Sequence, residues 1–185
     1  GKAAARLAEK FPSSRALEVL SGLPLRSYLD SPPSTIELTS CELRMPEAVL
    51  LRDTLAKTIK MTINKLDNYE ITSSLTSLDL SANLLDEGAM AVLASLVEAH
   101  SSLTTLDVSH NQGGPHGLSH LANMLSRNTW LTTLKIAEND VTREGRNPDG
   151  VSSLSDALKV NRTLTRLDIS ENFIDEAKER EIQEK

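Results

Sequence analysis

The stretch LTTLDVSHNQG, residues 103–113, places apolar side chains at 103, 106 and 108 and an asparagine at 111. Three other stretches align with it without gaps: LTSLDLSANLL from Leu75, LTTLKIAENDV from Leu131 and LTRLDISENFI from Leu164. Their starts lie 28, 28 and 33 residues apart. A weaker copy, PSTIELTSCEL from Pro33, keeps Ile36, Leu38 and Leu43 and sets Cys41 where the others carry Asn83, Asn111, Asn139 and Asn172. Self-similarity at one period marks a repeat architecture, in which a unit too small to bury its own apolar face is completed by its neighbours.

Within each unit the periodicity changes. Leu78, Asp79 and Leu80 alternate as a strand does, sending leucines to one face and the residue between them to the other. Downstream, Ala89, Val92, Leu93, Leu96 and Val97 recur at helical spacing, as do Leu118, Leu121, Ala122, Met124 and Leu125, and then Val151, Leu154, Ala157 and Leu158. Stacked strand-turn-helix units bury a continuous core and give a solenoid.

The pattern LxxLxLxxNxL resembles the leucine-rich repeat family, and the 28-residue period is similar to its ribonuclease-inhibitor-like class. The resemblance covers roughly residues 33–175. It implies an α/β solenoid with a curved parallel sheet on the concave side and helices on the convex side. It also implies that the turn asparagines bond to neighbouring backbone as a ladder, with cysteine a known alternative. Residues 1–32 are expected to form an N-terminal helical cap or degenerate repeat. Residues 33–175 form the repeat array, with a long helix near 46–66 where MPEAVLLRDTLAKTIKMTINKL follows a proline start. Residues 176–185 are expected to be a C-terminal polar helix, cap or truncated repeat. The longer spacing between Leu131 and Leu164 falls on TREGRNPDG, 142–150, whose turn signals predict a projecting loop.

Composition narrows the function. A net charge of −6 argues against a nucleic-acid surface, which needs clustered Lys and Arg. No apolar run approaches the ~20 residues of a membrane span. The single cysteine excludes an internal disulfide framework and points to a cytoplasmic protein. The start, GKAAARLAEKF, has neither an apolar signal core nor a cleavage site, so no secretory leader is expected, and the chain reads equally as a piece of a longer polypeptide. NRT at Asn161 fits the glycosylation pattern, which has no meaning outside the secretory route.

No GxxxxGK[ST], HExxH, CxxC or GxSxG motif is present, so no catalytic residue, no cofactor and no metal are expected. His116 and His120 have a spacing that zinc sites use, but Pro115 suggests the helix begins near His116 and no third ligand is evident. NQGGPHG, 111–117, has the outline of a phosphate loop without its lysine, and Pro115 removes one of the amides such a loop would use. In register, Gly113 stands where other repeats have Leu85, Val141 and Ile174, which predicts a locally thin core beneath it and a more mobile edge to this repeat. Trp130 is expected to pack against the preceding helix, and Phe173 to sit half exposed at its turn.

The candidate site is the inside of the curve. Outward strand positions carry Glu37, Asp79, Asp107, Lys135 and Asp168, with His110, Glu138, Arg166 and Glu171 beside them and Thr76, Thr104 and Thr132 flanking. Four of the five central residues are acidic, and unpaired like charges on adjacent strands cost stability. The expected partner is therefore a protein with a basic surface, bound by the concave face and adjoining loops of an intracellular, non-enzymatic interaction module or scaffold. Two family resemblances suggest other roles. LDVSHNQGGPHG is similar to strings in the Ran family of GTPase activators, and LKVNRTLTRLDISENFI at 158–174 resembles the tropomodulin family of actin-capping proteins.

Overall fold

The computed structural model describes residues 34–53 and 75–183. Five short strands follow one another: β1 (Thr35–Glu37), β2 (Ser77–Asp79), β3 (Thr105–Asp107), β4 (Thr133–Lys135) and β5 (Arg166–Asp168). They form one parallel sheet in chain order, with Ile36, Leu78, Leu106, Leu134 and Leu167 aligned across it. Parallel neighbours need a crossover, and here α1 (Glu87–Ala99), α2 (Gly114–Leu125) and α3 (Asp149–Val160) supply three of them. A fourth helix, α4 (Glu176–Gln183), follows β5. Because α1 packs on α2 and α2 on α3, sheet and helices advance together as an α/β solenoid with the strands on the concave side. Residues 45–53 are helical, while the N-terminal segment 1–32 and most of the long helix expected near 46–66 lie outside the described residues.

Local signals explain the helix starts. Asp86 caps α1 by accepting from the Ala89 N–H at 2.8 Å. Pro115 occupies the first turn of α2, where a missing amide proton costs nothing. The core beneath the sheet is aliphatic, with Leu78, Leu106 and Leu134 wholly buried.

The turn asparagines form the expected ladder. Asn83 Oδ1 accepts from the N–H groups of Cys41 and Leu43, both at 2.9 Å, and its Nδ2 donates to the carbonyls of Leu38, Leu80 and Ser81. Asn111 repeats this with Leu85 N–H, Asn139 with Gly113 N–H, and Asn172 with Asn139 N–H. Each amide thus satisfies backbone groups of its own turn and of the preceding repeat, which a buried, non-sheet segment cannot do alone. A second ladder runs along the strand entrances. The hydroxyls of Thr76, Thr104, Thr132 and Thr165 donate to the carbonyls of Ser34, Thr76, Thr104 and Thr132 respectively.

A third set of side chains closes the helix-to-strand side. Asn128 Oδ1 accepts from Trp130 and Leu131 N–H, and Asn161 Oδ1 from Thr163 and Leu164 N–H. Asn161 Nδ2 also reaches back to the carbonyls of Leu125 and Asn128, so attachment of a glycan there would remove one of the two hydrogens that make these bonds. His100 takes the equivalent position one repeat earlier and is buried, with Nδ1 3.0 Å from the Leu96 carbonyl. Burial lowers its pKa below the usual value of 6.5, against the opposing pull of that carbonyl. The unfolded chain therefore takes up a proton before the folded one does, and stability falls as pH drops below about 6.5, with no contribution above it. Urea unfolding at about pH 7.5 and 5.5 should show a smaller acid loss for His100→Asn than for the parent chain. Equal losses in the two proteins would remove His100 as the cause.

Gly113 contradicts the expectation of a thin core. The glycine is buried, and a Cβ built on it would stand 2.8 Å from Asn139 Oδ1 and 3.1 Å from Met90 Cε. Met90, 1% exposed on α1, lies against the Cβ position of Gly113, where other repeats carry an aliphatic side chain. The neighbouring Gly117 is pressed by the same methionine, its Cβ position 3.0 Å from Met90 Cγ. Val92, expected at the buried face of α1, is only partly buried. Methionine is suited to this role because its unbranched thioether adapts to an irregular gap.

Candidate interaction surface

The concave face is built by strand register. Glu37, Asp79, Asp107, Lys135 and Asp168 stand in one row across the five strands, each next to the inward-facing Ile36, Leu78, Leu106, Leu134 or Leu167 of its strand and on the opposite side. Alternation of side chains along a strand requires this once the apolar residues face the core. Glu37, Lys135 and Asp168 are exposed, and Asp79 and Asp107 half-buried.

The acids are less free than their formal charge suggests. One oxygen of Asp79 accepts from Ser81 N–H, one of Asp107 from Ser109 N–H, and one of Asp168 from both the N–H and the hydroxyl of Ser170. The recurring Asp-x-Ser therefore shapes the strand exit as well as the surface. Lys135 Nζ donates to the second oxygen of Asp107 at 3.1 Å. That hydrogen bond, followed by the charge of Asp107 and smaller contributions from Asp79 and Asp168, raises the lysine pKa. The row is not a set of unpaired like charges. It is an acidic run, Glu37–Asp79–Asp107, closed by a lysine that is flanked on its other side by Asp168.

Beside this row, His110 Nδ1 lies 3.0 Å from Glu138 Oε2, both side chains half exposed. Arg166 is exposed on β5 opposite Thr133, and Glu171 is exposed at the last turn. The residue preceding each turn asparagine, or Cys41, adopts a left-handed backbone: Ser40, Ala82, His110, Glu138 and Glu171 have φ between 50° and 56°. The geometry thus brings His110 and Glu138 together on the rim, and Asp107 and Lys135 at its centre. Thr76, Thr104 and Thr132 belong to the ladder between repeats, so their hydroxyls are already engaged. Sequence reasoning missed these bonds and those of Asn128 and Asn161, although the spacing Asn-x-x-Leu before Leu131 and Leu164 was a signal for the latter pair.

The segment 142–150 is exposed from Arg143 to Arg146 but anchored at its base. Its turns lie along the strand-to-helix edge, held by the Thr142 hydroxyl to the carbonyls of Asn172 and Phe173 and by Arg143 Nη2 to Glu87 Oε1 at 3.0 Å. With Asp86, Gln112, Asp140 and Arg146 it borders an open cleft of about 730 Å³. The two arginines there are already paired, Arg143 with Glu87 and Arg146 with Glu144. Of NQGGPHG, Asn111, Gln112 and Gly114 line this cleft, and the stretch runs on into the start of α2.

Trp130 does not pack away against the preceding helix; it is 51% exposed, and Phe173 is 64% exposed. His116 and His120 are both exposed on α2, and among the described residues no group of three His, Cys, Asp or Glu side chains could hold a metal ion. No described helix is long and apolar enough to cross a membrane.

Comparison with known proteins agrees with this architecture. A leucine-rich repeat family pattern matches residues 99–122, 127–146 and 160–175. No curated protein matches the chain in sequence. Among solved structures, the chain superimposes on one described as leiomodin-1 actin-binding site 2, with a TM-score of 0.68 and 16% identity over 87% of this chain and 84% of that one. The three matched repeats and the shared solenoid show a leucine-rich repeat fold.

Proposed function

We propose that the chain is a non-enzymatic protein-interaction module that grips a protein partner with its concave face and adjoining loops. The observation that supports this reading most is the in-register row Glu37–Asp79–Asp107–Lys135–Asp168, five charged side chains presented side by side on one sheet face. A partner placing basic groups over Glu37, Asp79 and Asp107 and an acceptor near Lys135 would complement it, and such pairing sets specificity and on-rate more than raw affinity. An intracellular setting belongs to the same reading, supported by the single cysteine.

Asp79→Asn and Asp107→Asn remove charge while keeping the oxygen that accepts from the serine N–H. Together with Glu37→Lys they should reduce capture of a bound partner by at least tenfold, about 1.4 kcal/mol, with the deficit shrinking at high salt. A control at Glu98, on the convex helix α1, should leave capture unchanged. Equal capture by the concave variants and the parent chain would move the binding surface elsewhere.

A second reading, an actin-binding role, is supported by the likeness to the actin-binding site of leiomodin-1 and by the tropomodulin-like string at 158–174. Fold likeness carries little information about partners. Co-sedimentation with filamentous actin tests it directly: saturable recovery in the pellet supports the role, and recovery at the level of an unrelated protein removes it. A GTPase-activating role has no support beyond the likeness of residues 106–117, which in the structure serve as a strand-to-helix crossing.

A further inference from the structure

Trp130 is the only tryptophan of the chain, and it stands at the surface of an inner repeat whose neighbours on both sides are described. Its backbone is fixed from below. Asn128 Oδ1 accepts from the N–H groups of Trp130 and Leu131, at 2.9 and 2.7 Å, and Leu131 turns fully into the core. The residues in register with Trp130 are Ser102 and Thr163, one repeat before it and one after. Both are short. The Ser102 hydroxyl donates to the Leu75 carbonyl, and Thr163 Oγ1 lies 3.4 Å from Asn161 Oδ1. Neither has the length to cover the indole, which stays 51% exposed. Val160, exposed at the end of α3, joins the same turn, because Asn161 Nδ2 donates to the Asn128 carbonyl at 3.0 Å. Two large apolar side chains thus share the edge where helices end and strands begin.

The charges of this edge differ from those of the molecule. The chain carries a net charge of −6, and the opposite, strand-to-helix edge exposes Glu138, Asp140, Glu171 and Asp175. Between the last turns of α1, α2 and α3 and the strands that follow them, the acids are Glu98 and Asp156, and each is matched by a base. Glu98 pairs with Arg127, and Asp156 with Lys159. Arg162 and Arg166 are left over. Arg162 Nη1 makes a 3.4 Å bond to the Asn161 carbonyl, and Arg166 is exposed on β5 opposite Thr133. In register the two arginines stand beside Thr129 and Thr133, on either side of Trp130.

We propose that this edge docks an acidic segment of a protein partner, with an apolar side chain of the segment seated on the Trp130 indole and its carboxylates on Arg162 and Arg166. Tryptophan and arginine are the side chains that most often dominate interfaces, and the planar guanidinium fork matches a carboxylate. A basic segment would set like charge against both arginines. A second copy of this chain fits poorly, because a two-fold contact through Trp130 would bring the same arginines together. The row from Glu37 to Asp168 takes no part, so this proposal and the concave reading fail separately.

Because Trp130 is the single tryptophan, its fluorescence reports this edge alone in the intact 185-residue chain. Iodide should quench it more than caesium does, and the acidic peptide DDLEELF should shift its emission saturably to the blue. The basic peptide KKLKKLF should not. Arg162→Glu should weaken binding of the acidic peptide at least about fivefold at low salt, whereas Arg146→Glu, an equal charge change on the opposite edge, should bind as the parent does. By anisotropy of a labelled peptide, Trp130→Ala should bind at least about tenfold more weakly, with an unchanged urea midpoint. Emission already blue and shielded from both quenchers would mean that the chain itself covers the indole, and a dimer that shields it would assign the edge to a second copy. Either result overturns the proposal. So does an equal response to the basic peptide, an equal loss in Arg146→Glu, an affinity unaltered by Arg162→Glu or Trp130→Ala, or no response up to about 1 mM peptide.

Discussion

Asn139→Ala is expected to lower the unfolding free energy by about 3 kcal/mol, read as a shift of the urea midpoint at constant slope. The side chain is 2% exposed and makes four hydrogen bonds. They do not contribute equally. The carbonyls of Val108, Ile136 and Ala137 each keep another donor, from Asn111, Asn172 and His110 respectively. Gly113 N–H keeps none, so the main cost is one orphaned buried donor, with the lost bonds and a small cavity added to it. Asn139→Asp separates these contributions. It retains the acceptor for Gly113 but turns an ionised oxygen toward three carbonyls, and should be at least as damaging at neutral pH and milder in acid. A neutral-pH Asp variant as stable as the parent would show that the acceptor alone matters. By contrast, Thr132→Val, in the half-buried threonine ladder, should cost under about 1 kcal/mol.

Gly113→Leu restores the residue that the repeat pattern prefers, and should nevertheless destabilise the chain by about 3 kcal/mol. Even the first atom of the new side chain would collide with Asn139 Oδ1 and crowd Met90. Met90→Ala alone should also be costly, by about 2–4 kcal/mol, because it empties a filled site. Together the two changes should cost at least about 1 kcal/mol less than their sum, since the leucine then enters the space the methionine left. Thermal unfolding of the four proteins in this cycle measures the coupling. A stabilising Gly113→Leu would mean that the space beneath Gly113 is empty after all.

The contrast between Gly113 and the other turn positions shows how far the sequence could be read. Leucine and asparagine recur at fixed spacing, so strand order, register and ladder followed from one aligned stretch. What compensates for a deviation did not follow, because it comes from a neighbouring repeat. Met90 lies outside the apolar positions first assigned to α1, and nothing in its own repeat links it to Gly113. The same limit applied to the concave row. Its members were legible from alternation, but the pairing of Lys135 with Asp107 and the use of each aspartate by a following serine depend on distances between and within turns. The fold of 142–150 was hidden for a related reason: polarity marked it as a loop, while its anchor, Glu87, belongs to a repeat 56 residues earlier.

The left-handed positions at the rim of the sheet bear on how such a surface can change. The frame demands the same unusual backbone at Ser40, Ala82, His110, Glu138 and Glu171, and glycine would meet that demand most cheaply. None of the five is glycine, so each repeat accepts roughly 1 kcal/mol of local strain in exchange for a side chain. Their identities range from methyl to hydroxyl, imidazole and carboxylate on one conformation. These five sites are therefore an interchangeable alphabet on a fixed ruling: a substitution there can rewrite what the rim offers a partner while the strands, turns and helices stay where they are.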